Sequence, residues 1–476
     1  MDFVSVTYLG FLLLALIIFY TIPKSKQWIS LLVFSILFYL SFSLKTWIIL
    51  LVACGISYYY VTYAKRSRSG LILSVVLILS LMLCFKLCAS DLGFVVNLGL
   101  TRFAVLLPVG ISFYSLQMIA YMIDVYRGKT KAEKSFAKHL LFFLFFPQIL
   151  QGPIPRFDTL APQIFGGHDF DEKNLRKGFY LLIWGYFQKM VIADRCNIVV
   201  NQIFDNYLLY DGFYVLLAGI LYSLQLYTDF AGCVYIAMGS AKMFGIQLDA
   251  NFKAPYFSVS IKDFWHRWHI TLSTFLRDYV YIPLGGNRKG VVRKYVNIMV
   301  TFFVSGIWHG LGNHFILWGL MHGAYQVLGQ IFAPVFAFLS KKTGISSERG
   351  LGRAFAVVRT DFLVMIAWIV FRAKSISQAI MMIKNMFSHF NPWIFFNGDL
   401  LTLGIGEKEW GLLVLSVCLL ILVGLVHEKK VYFTSVFVKE PLLLRWFVLI
   451  AFLMVILITG IYGPGYDATQ FIYGGF

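Results

Sequence analysis

DFWHRWHITLSTFLRDYVYIPLGGNRKG, residues 263–290, leads through TFFVSGIWHGLGNHFILWG at 301–319 to LMHG at 320–323. Five of the nine histidines fall in this stretch: His266, His269, His309, His314 and His322. Arg267, Asp278, Asn287 and Asn313 belong to it as well. Apolar segments flank it on both sides. Ionisable side chains at membrane depth are costly and usually serve a function, so chemistry is expected here.

The flanks set the fold class. Of 476 residues, 59% are hydrophobic and 13% charged, with a mean hydropathy of +0.75. A soluble chain carries about twice that share of charge. Apolar runs of about 17 to 23 residues recur, long enough to cross a bilayer. The expectation is an all-α polytopic membrane protein of about ten to twelve transmembrane helices, with added re-entrant or interfacial helices. Aromatics make up 18% of the chain. Some suit the interfaces, and the rest must fill space between helices.

A net charge of +18 raises the question of nucleic acid, but the basic groups alternate. Lys24/Lys26, Lys65/Arg66/Arg68 and Arg127 to Lys138 follow the first, third and fifth apparent spans, and the loops around Lys45 and Asp91 to Arg102 are weakly charged. That is the positive-inside pattern, with the N-terminus outside and no nucleic-acid partner. The six cysteines, Cys54, Cys84, Cys88, Cys196, Cys233 and Cys418, form no CxxC pair. They read mostly as small buried hydrophobes. Val4–Tyr20 has no basic segment before it and no small-residue cleavage site, so it reads as a span rather than a leader.

In chain order, residues 1–90 read as a four-span scaffold and 103–128 as a fifth span loosened by Pro108 and Gly110. Residues 140–165 hold an apolar run too short to cross, followed by prolines. A re-entrant or interfacial segment is expected there, with Gln148, Gln151 and Arg156 as candidate cavity residues. Spans follow at 178–200 and 212–240, the second holding Asp229, a carboxylate that is either functional or, as the favoured reading, ion-paired. Apolar helices at 295–308 and 313–332, a basic segment from Lys341 to Arg359, and spans at 361–372, 411–426 and 443–461 complete the chain. No linker or internal repeat divides it, so one domain over 1–476 is expected, with a catalytic core at 103–332 and C-terminal helices at 361–476.

Three chemistries compete for the histidines. His266 and His269 stand three apart and are expected to share a helix face, and with a later histidine they suggest zinc. No carboxylate or thiol completes a familiar spacing, so no metal is expected. The second reading is structural, with imidazoles hydrogen-bonded in a bundle. The third is acid–base catalysis by a neutral imidazole in an apolar cavity. If the helix runs past Gly310, Asn313 shares the face of His309.

These motifs resemble the membrane-bound O-acyltransferase family, and within it the bacterial alginate O-acetyltransferase-like branch. The resemblance rests on DFWHRWHITLSTFLRDYVYIPLGGNR, SGIWHG and LWGLMHG. FFPQILQGPIPRF, LQLYTDFAG, ANFKAPY, WIVFRAKS and the terminal YGPGYDATQFIY are also similar, so it runs from about residue 105 to the C-terminus. AGCVYIAMG after Asp229 departs from the branch, which often has a second acidic or serine residue there.

The resemblance implies helices around a central tunnel in the bacterial cytoplasmic membrane. Acetyl-CoA would be the cosubstrate, an exported polysaccharide the acceptor, and an extracytoplasmic SGNH-esterase-like protein the partner. It implies His309 as general base and His269 as the second polar position. Arg267, Asp278 and Asn287 would support the cavity or its cytoplasmic mouth. Arg288 with the basic residues to Lys294 would meet CoA phosphates, or simply follow topology. His322 is a third candidate, and His266 and His314 lie further out. D-alanyl transfer from a carrier protein to teichoic acid is the alternative cargo. A transporter or flippase would show paired half-helices and repeats, and none is evident.

Overall fold

In lipid a backbone must satisfy its own polar groups, and no strand occurs among the described residues. The computed structural model describes residues 1–88, 90, 99, 101, 107–344, 346–347, 349–429, 437 and 440–462. Among the described residues six helices are long and apolar enough to span: Leu44–Ala64, Arg68–Cys88, Phe213–Met243, Gly350–Arg372, Glu407–Glu428 and Leu442–Thr459. Asn313–Ile331 and Ala333–Thr343 pass the same test as a pair bent by 50°. The chain is therefore a multi-pass helical membrane protein. Glu407–Glu428 and Leu442–Thr459 keep most of their surface outside the protein, and residues such as Leu415, Leu422, Phe447 and Ile458 are exposed. Acyl chains solvate such faces; water would not.

Several expected spans take other forms. Val6–Thr21 has 16 residues and Gln27–Leu40 has 14. They rise about 24 and 21 Å, short of a bilayer core of about 30 Å. The segment expected to span at 178–200 is Glu172–Tyr186, a π-helical turn at Phe187–Ala193, and Asp194–Asp205. The fifth helix begins at Ile111, after Gly110 with φ 77; residues 102–106 lie outside the described set. Residues 140–165 form no span. Helices Phe136–Leu144 and Phe157–Gly166 take up the two ends of this stretch, and between these the chain is irregular yet mostly buried. Its groups are met inside the protein: Gln148 donates to the Phe142 carbonyl at 3.0 Å, and the Phe146 N–H donates to Ser35 at 3.1 Å. Gln148 and Gln151 are buried, and Arg156 reaches Asp124 at 3.8 Å.

The basic segment before the expected 361–372 span is partly helix, because Gly350–Arg372 starts earlier. Arg353 pairs with Glu428 at 2.7 Å and Arg359 donates to the Val259 carbonyl at 3.0 Å, so both cations are accommodated. Cys54, Cys196 and Cys233 are buried as expected, but Cys84 and Cys418 are exposed on spanning helices. The loop around Asp91–Arg102, apart from residues 99 and 101, and nearly all of the terminal YGPGYDATQFIY lie outside the described residues.

Among the described residues the backbone forms two compact units, 1–186 with 232–250, and 187–231 with 251–462. In the first, Phe11 packs edge-on against Phe34 and Phe146, each at 5.3 Å, and Tyr8 hydrogen-bonds Ser240 at 2.8 Å. Its helix Glu172–Tyr186 and the 232–243 part of helix Phe213–Met243 meet at glycines. A Cβ on Gly178 would lie 2.6 Å from the Gly239 carbonyl oxygen, and one on Gly185 2.6 Å from that of Gly232. Small residues at membrane helix contacts allow this approach.

In the second unit the π-helical turn has a consequence for charge. Lys189 Nζ lies 2.8 Å from Asp194 Oδ1 and 2.6 Å from Asp229 Oδ1, with all three side chains buried. Residues five apart diverge on an α-helix, whereas a turn closed by i→i+5 bonds brings them together. The partner expected for Asp229 is Lys189.

Candidate active site

The central stretch lies in the second unit, and its local breaks decide where each polar group points. Ile261–Arg267 ends at Trp268, whose backbone is extended, and His269 adopts the left-handed region at φ 44 before Ile270–Leu276 begins. His266 and His269 therefore do not share a helix face: His266 is exposed and His269 is buried. The break is held by the 251–253 segment. The Ile270 N–H donates to the Asn251 carbonyl at 3.0 Å, and the Lys253 N–H to the Arg267 carbonyl at 2.9 Å.

Asn251 also sets the tautomer of His269. Its Oδ1 accepts from the Thr271 N–H at 3.1 Å and the Thr271 hydroxyl at 3.0 Å, so that atom is the amide oxygen. His269 Nδ1, 3.3 Å away, then carries the hydrogen, and Nε2 keeps its lone pair. His269 lies between two seven-residue helices, outside the candidate spans, and burial pushes its imidazole down to about 3.

His309 ends the helix Val291–His309, because Gly310 turns the chain into extended backbone. The expected continuation past Gly310 does not occur. Asn313 opens the next helix, Asn313–Ile331, and is exposed. The two helices pack closely. A Cβ on Gly319 would strike the Phe302 carbonyl and lie 3.2 Å from Gly306 Cα, and one on Gly306 would lie 2.6 Å from the Phe315 carbonyl oxygen. This approach sets His309 against Trp318 at 4.8 Å and 88°, with Trp308 at 4.7 Å and Phe371 at 5.3 Å completing an aromatic cage. Gly319→Ala is expected to push the helices apart, at a cost of about 1–3 kcal/mol. Thermal unfolding in detergent reads this, and a wild-type melting point would sink the argument.

One aromatic frame connects the three buried histidines of this stretch. His269 lies 5.9 Å from Trp308, and His322 lies 5.1 Å from Trp318 by ring centroids. Trp265 Nε1 donates to His322 Nδ1 at 3.2 Å. The remaining expected residues lie apart. Arg267 joins Asp263 at 2.9 Å and also Glu428, in a half-buried ion cluster. Asp278 pairs with Arg277 at 2.8 Å. Asn287 and Arg288 are exposed in the turn after Gly286. That turn is pinned by buried Asn297, which donates to the Gly286 carbonyl at 2.9 Å. His314 is half-buried, its ring 4.1 Å from Phe315. Among the described residues no group of three His, Cys, Asp or Glu side chains is placed to hold a metal.

Asn251, Trp265 and Trp318 escape a reading by residue type, because their roles depend on partners tens of positions away. The one signal was their presence in ANFKAPY, DFWHRWH and LWGLMHG. His269→Asn tests this part of the site, since Asn tolerates the left-handed region. Between pH 6.5 and about 3 the unfolded chain protonates this imidazole and the native state does not. Stability therefore falls as pH falls through that window. The variant should lose turnover yet resist acid better than wild type; identical acid-unfolding curves would count against it.

The sequence model of the MBOAT, membrane-bound O-acyltransferase, family matches residues 31–371. The match begins well upstream of the motifs around residue 105. A probable alginate O-acetylase AlgI of Pseudomonas syringae pv. tomato is 37% identical, over 69% of this chain and 62% of its own. A peptidoglycan O-acetyltransferase of Helicobacter pylori is 34% identical, over 59% of this chain and 57% of its own. A teichoic acid D-alanyltransferase of Bacillus subtilis is 30% identical, over 47% of this chain and 59% of its own. The chain thus spans less than two thirds of the length of each of these relatives.

Proposed function

The chain belongs to the membrane-bound O-acyltransferase family, in its alginate O-acetyltransferase-like branch, and from that premise we propose that it passes acetyl groups from cytosolic acetyl-CoA across the membrane towards hydroxyls of an exported or cell-wall polysaccharide. The observation that carries this reading is His309, buried within Trp308, Trp318 and Phe371 in the SGIWHG motif. Such a cage excludes the water that would otherwise hydrolyse a thioester.

In the proposed reaction the acceptor oxygen attacks the thioester carbonyl carbon while His309 takes the hydroxyl proton. The carbonyl electron pair moves onto oxygen, then returns and expels the CoA thiolate, which receives the proton from His309. His269, its ring fixed by Asn251, orients or polarises the donor or the acceptor without taking the reacting proton. The exposed turn with Asn287 and Arg288 is the proposed mouth for CoA. The protein sits in the bacterial cytoplasmic membrane. Its six long helices and its shorter ones, the latter accommodated where the bilayer thins around them, make about ten to twelve crossings around a tunnel. An extracytoplasmic SGNH-type partner completes delivery, so the hydroxyl attacked belongs to the sugar or to a serine of that partner.

The relative named as a teichoic acid D-alanyltransferase supports a second reading, with D-alanyl on a carrier protein as donor. The test supplies purified protein in liposomes with radiolabelled acetyl-CoA, or with a D-alanyl carrier. Release of CoA supports the first reading and release of carrier the second. Turnover of neither, with candidate acceptors present, sinks both.

A further inference from the structure

The unit carrying His309 holds an indole and an imidazole N–H, side by side, that the proposed chemistry has not yet used. Trp318 Nε1 and His322 Nε2 are buried and have no hydrogen-bond partner among the described residues. For Trp318 the group is necessarily a donor, since indole nitrogen accepts nothing. For His322 the donor is set by its neighbour: Trp265 gives its N–H to Nδ1 at 3.2 Å. A neutral imidazole that accepts at Nδ1 carries its hydrogen at Nε2. Both residues stand on the helix Asn313–Ile331 four positions apart, hence on one face. Their rings lie 5.1 Å apart, and the Trp318 ring lies 4.8 Å from that of His309.

Burying a donor without an acceptor costs free energy, and native proteins rarely do so without a reason. Two such donors on one helix face beside the proposed base match what acyl transfer requires. When the acceptor oxygen adds to the thioester, the carbonyl oxygen gains a full negative charge, and preorganised donors in a dry site stabilise it most. We propose that the Trp318 Nε1–H and His322 Nε2–H receive the carbonyl oxygen of the acyl thioester and hold it as the oxyanion of the tetrahedral intermediate. This rests on the acyl-transfer reading above. His309 takes the acceptor's proton, the C=O electron pair rests on the oxygen held by the two donors, and its return breaks the C–S bond. The CoA thiolate leaves with the proton from His309.

Trp318→Phe keeps the aromatic wall and deletes only the N–H. His322→Gln keeps an acceptor for Trp265 and a donor for the substrate, whereas His322→Leu keeps neither. The measurement is the steady-state rate of CoA release from acetyl-CoA by full-length protein in liposomes, with a melting curve for each variant. Trp318→Phe and His322→Leu are expected to lower kcat by about 10²–10³-fold each. KM should change little, as for an interaction made in the transition state, and His322→Gln should recover most of the loss. Trp318→Phe should melt no lower than wild type, since it removes a donor that has no partner to lose. A Trp318→Phe or His322→Leu enzyme with wild-type kcat overturns the proposal, as does a loss that appears wholly in KM or in the melting point. If wild type and His309→Ala differ as expected and Trp318→Phe does not, this inference alone fails. If wild type turns over no thioester, both readings fall.

Discussion

His309→Ala should lower thioester turnover by about 10²–10⁴-fold, the range for removing a positioned general base. The reason is local. His309 ends its helix inside a cage of Trp308, Trp318 and Phe371, and the caged site offers few routes for water to take over proton abstraction. His309→Gln keeps polarity and reach but no comparable basicity, so it should be nearly as inactive. The two variants separate chemistry from packing, because Gln fills space that Ala leaves empty. CoA release is followed alongside thermal unfolding in detergent. If His309→Ala keeps a tenth or more of the wild-type rate with an unchanged melting point, His309 is not the base, and His269, with its Nε2 lone pair, takes precedence.

Lys189→Met should be the most destabilising single change considered, at about 3–5 kcal/mol. Its ammonium stands 2.8 Å from Asp194 and 2.6 Å from Asp229, with every partner buried. Removing it leaves two carboxylates close together at low dielectric, and their repulsion adds to their desolvation. Lys189→Met combined with Asp194→Asn and Asp229→Asn should recover most of the loss, because none of the three clustered charges is then left unpaired. The measurement is the melting point and the folded fraction on gel filtration for the single and triple variants. A single variant that melts within about 2 °C of wild type would show that the three charges contribute little.

The two results draw on different layers of information. His309 stood out from its chain neighbours, a histidine between tryptophan and glycine at the end of an apolar run. Asp229 stood out likewise as a carboxylate inside a span, and a partner could be expected for it. The identity of that partner could not be read, since pairing Lys189 with Asp194 needs a π-helical turn that neither composition nor an α-helical period announces. The same limit applies to His266 and His269. A spacing of three predicts a shared face, and one left-handed residue at φ 44 sends one imidazole outward and the other into the protein. Span lengths show it too, because Val6–Thr21 and Gln27–Leu40 are apolar enough to be spans yet stop short.

By itself the sequence determined the helical membrane class, the irregular character of 140–165, the family, and the stretch in which chemistry is expected. Apolar run length, proline content and short motifs are local quantities, and the solvent each segment requires follows from them directly. Only the tertiary structure decided which histidines enter one aromatic frame, which nitrogen of His269 and His322 carries hydrogen, and that Trp318 finds no acceptor for its N–H among the described residues. Those properties depend on partners brought together from distant positions, Asn251 with His269 and Trp265 with His322, across turns whose geometry single residues set. A hydrogen bond is a relation between two groups in space, and a sequence specifies it only through the whole fold.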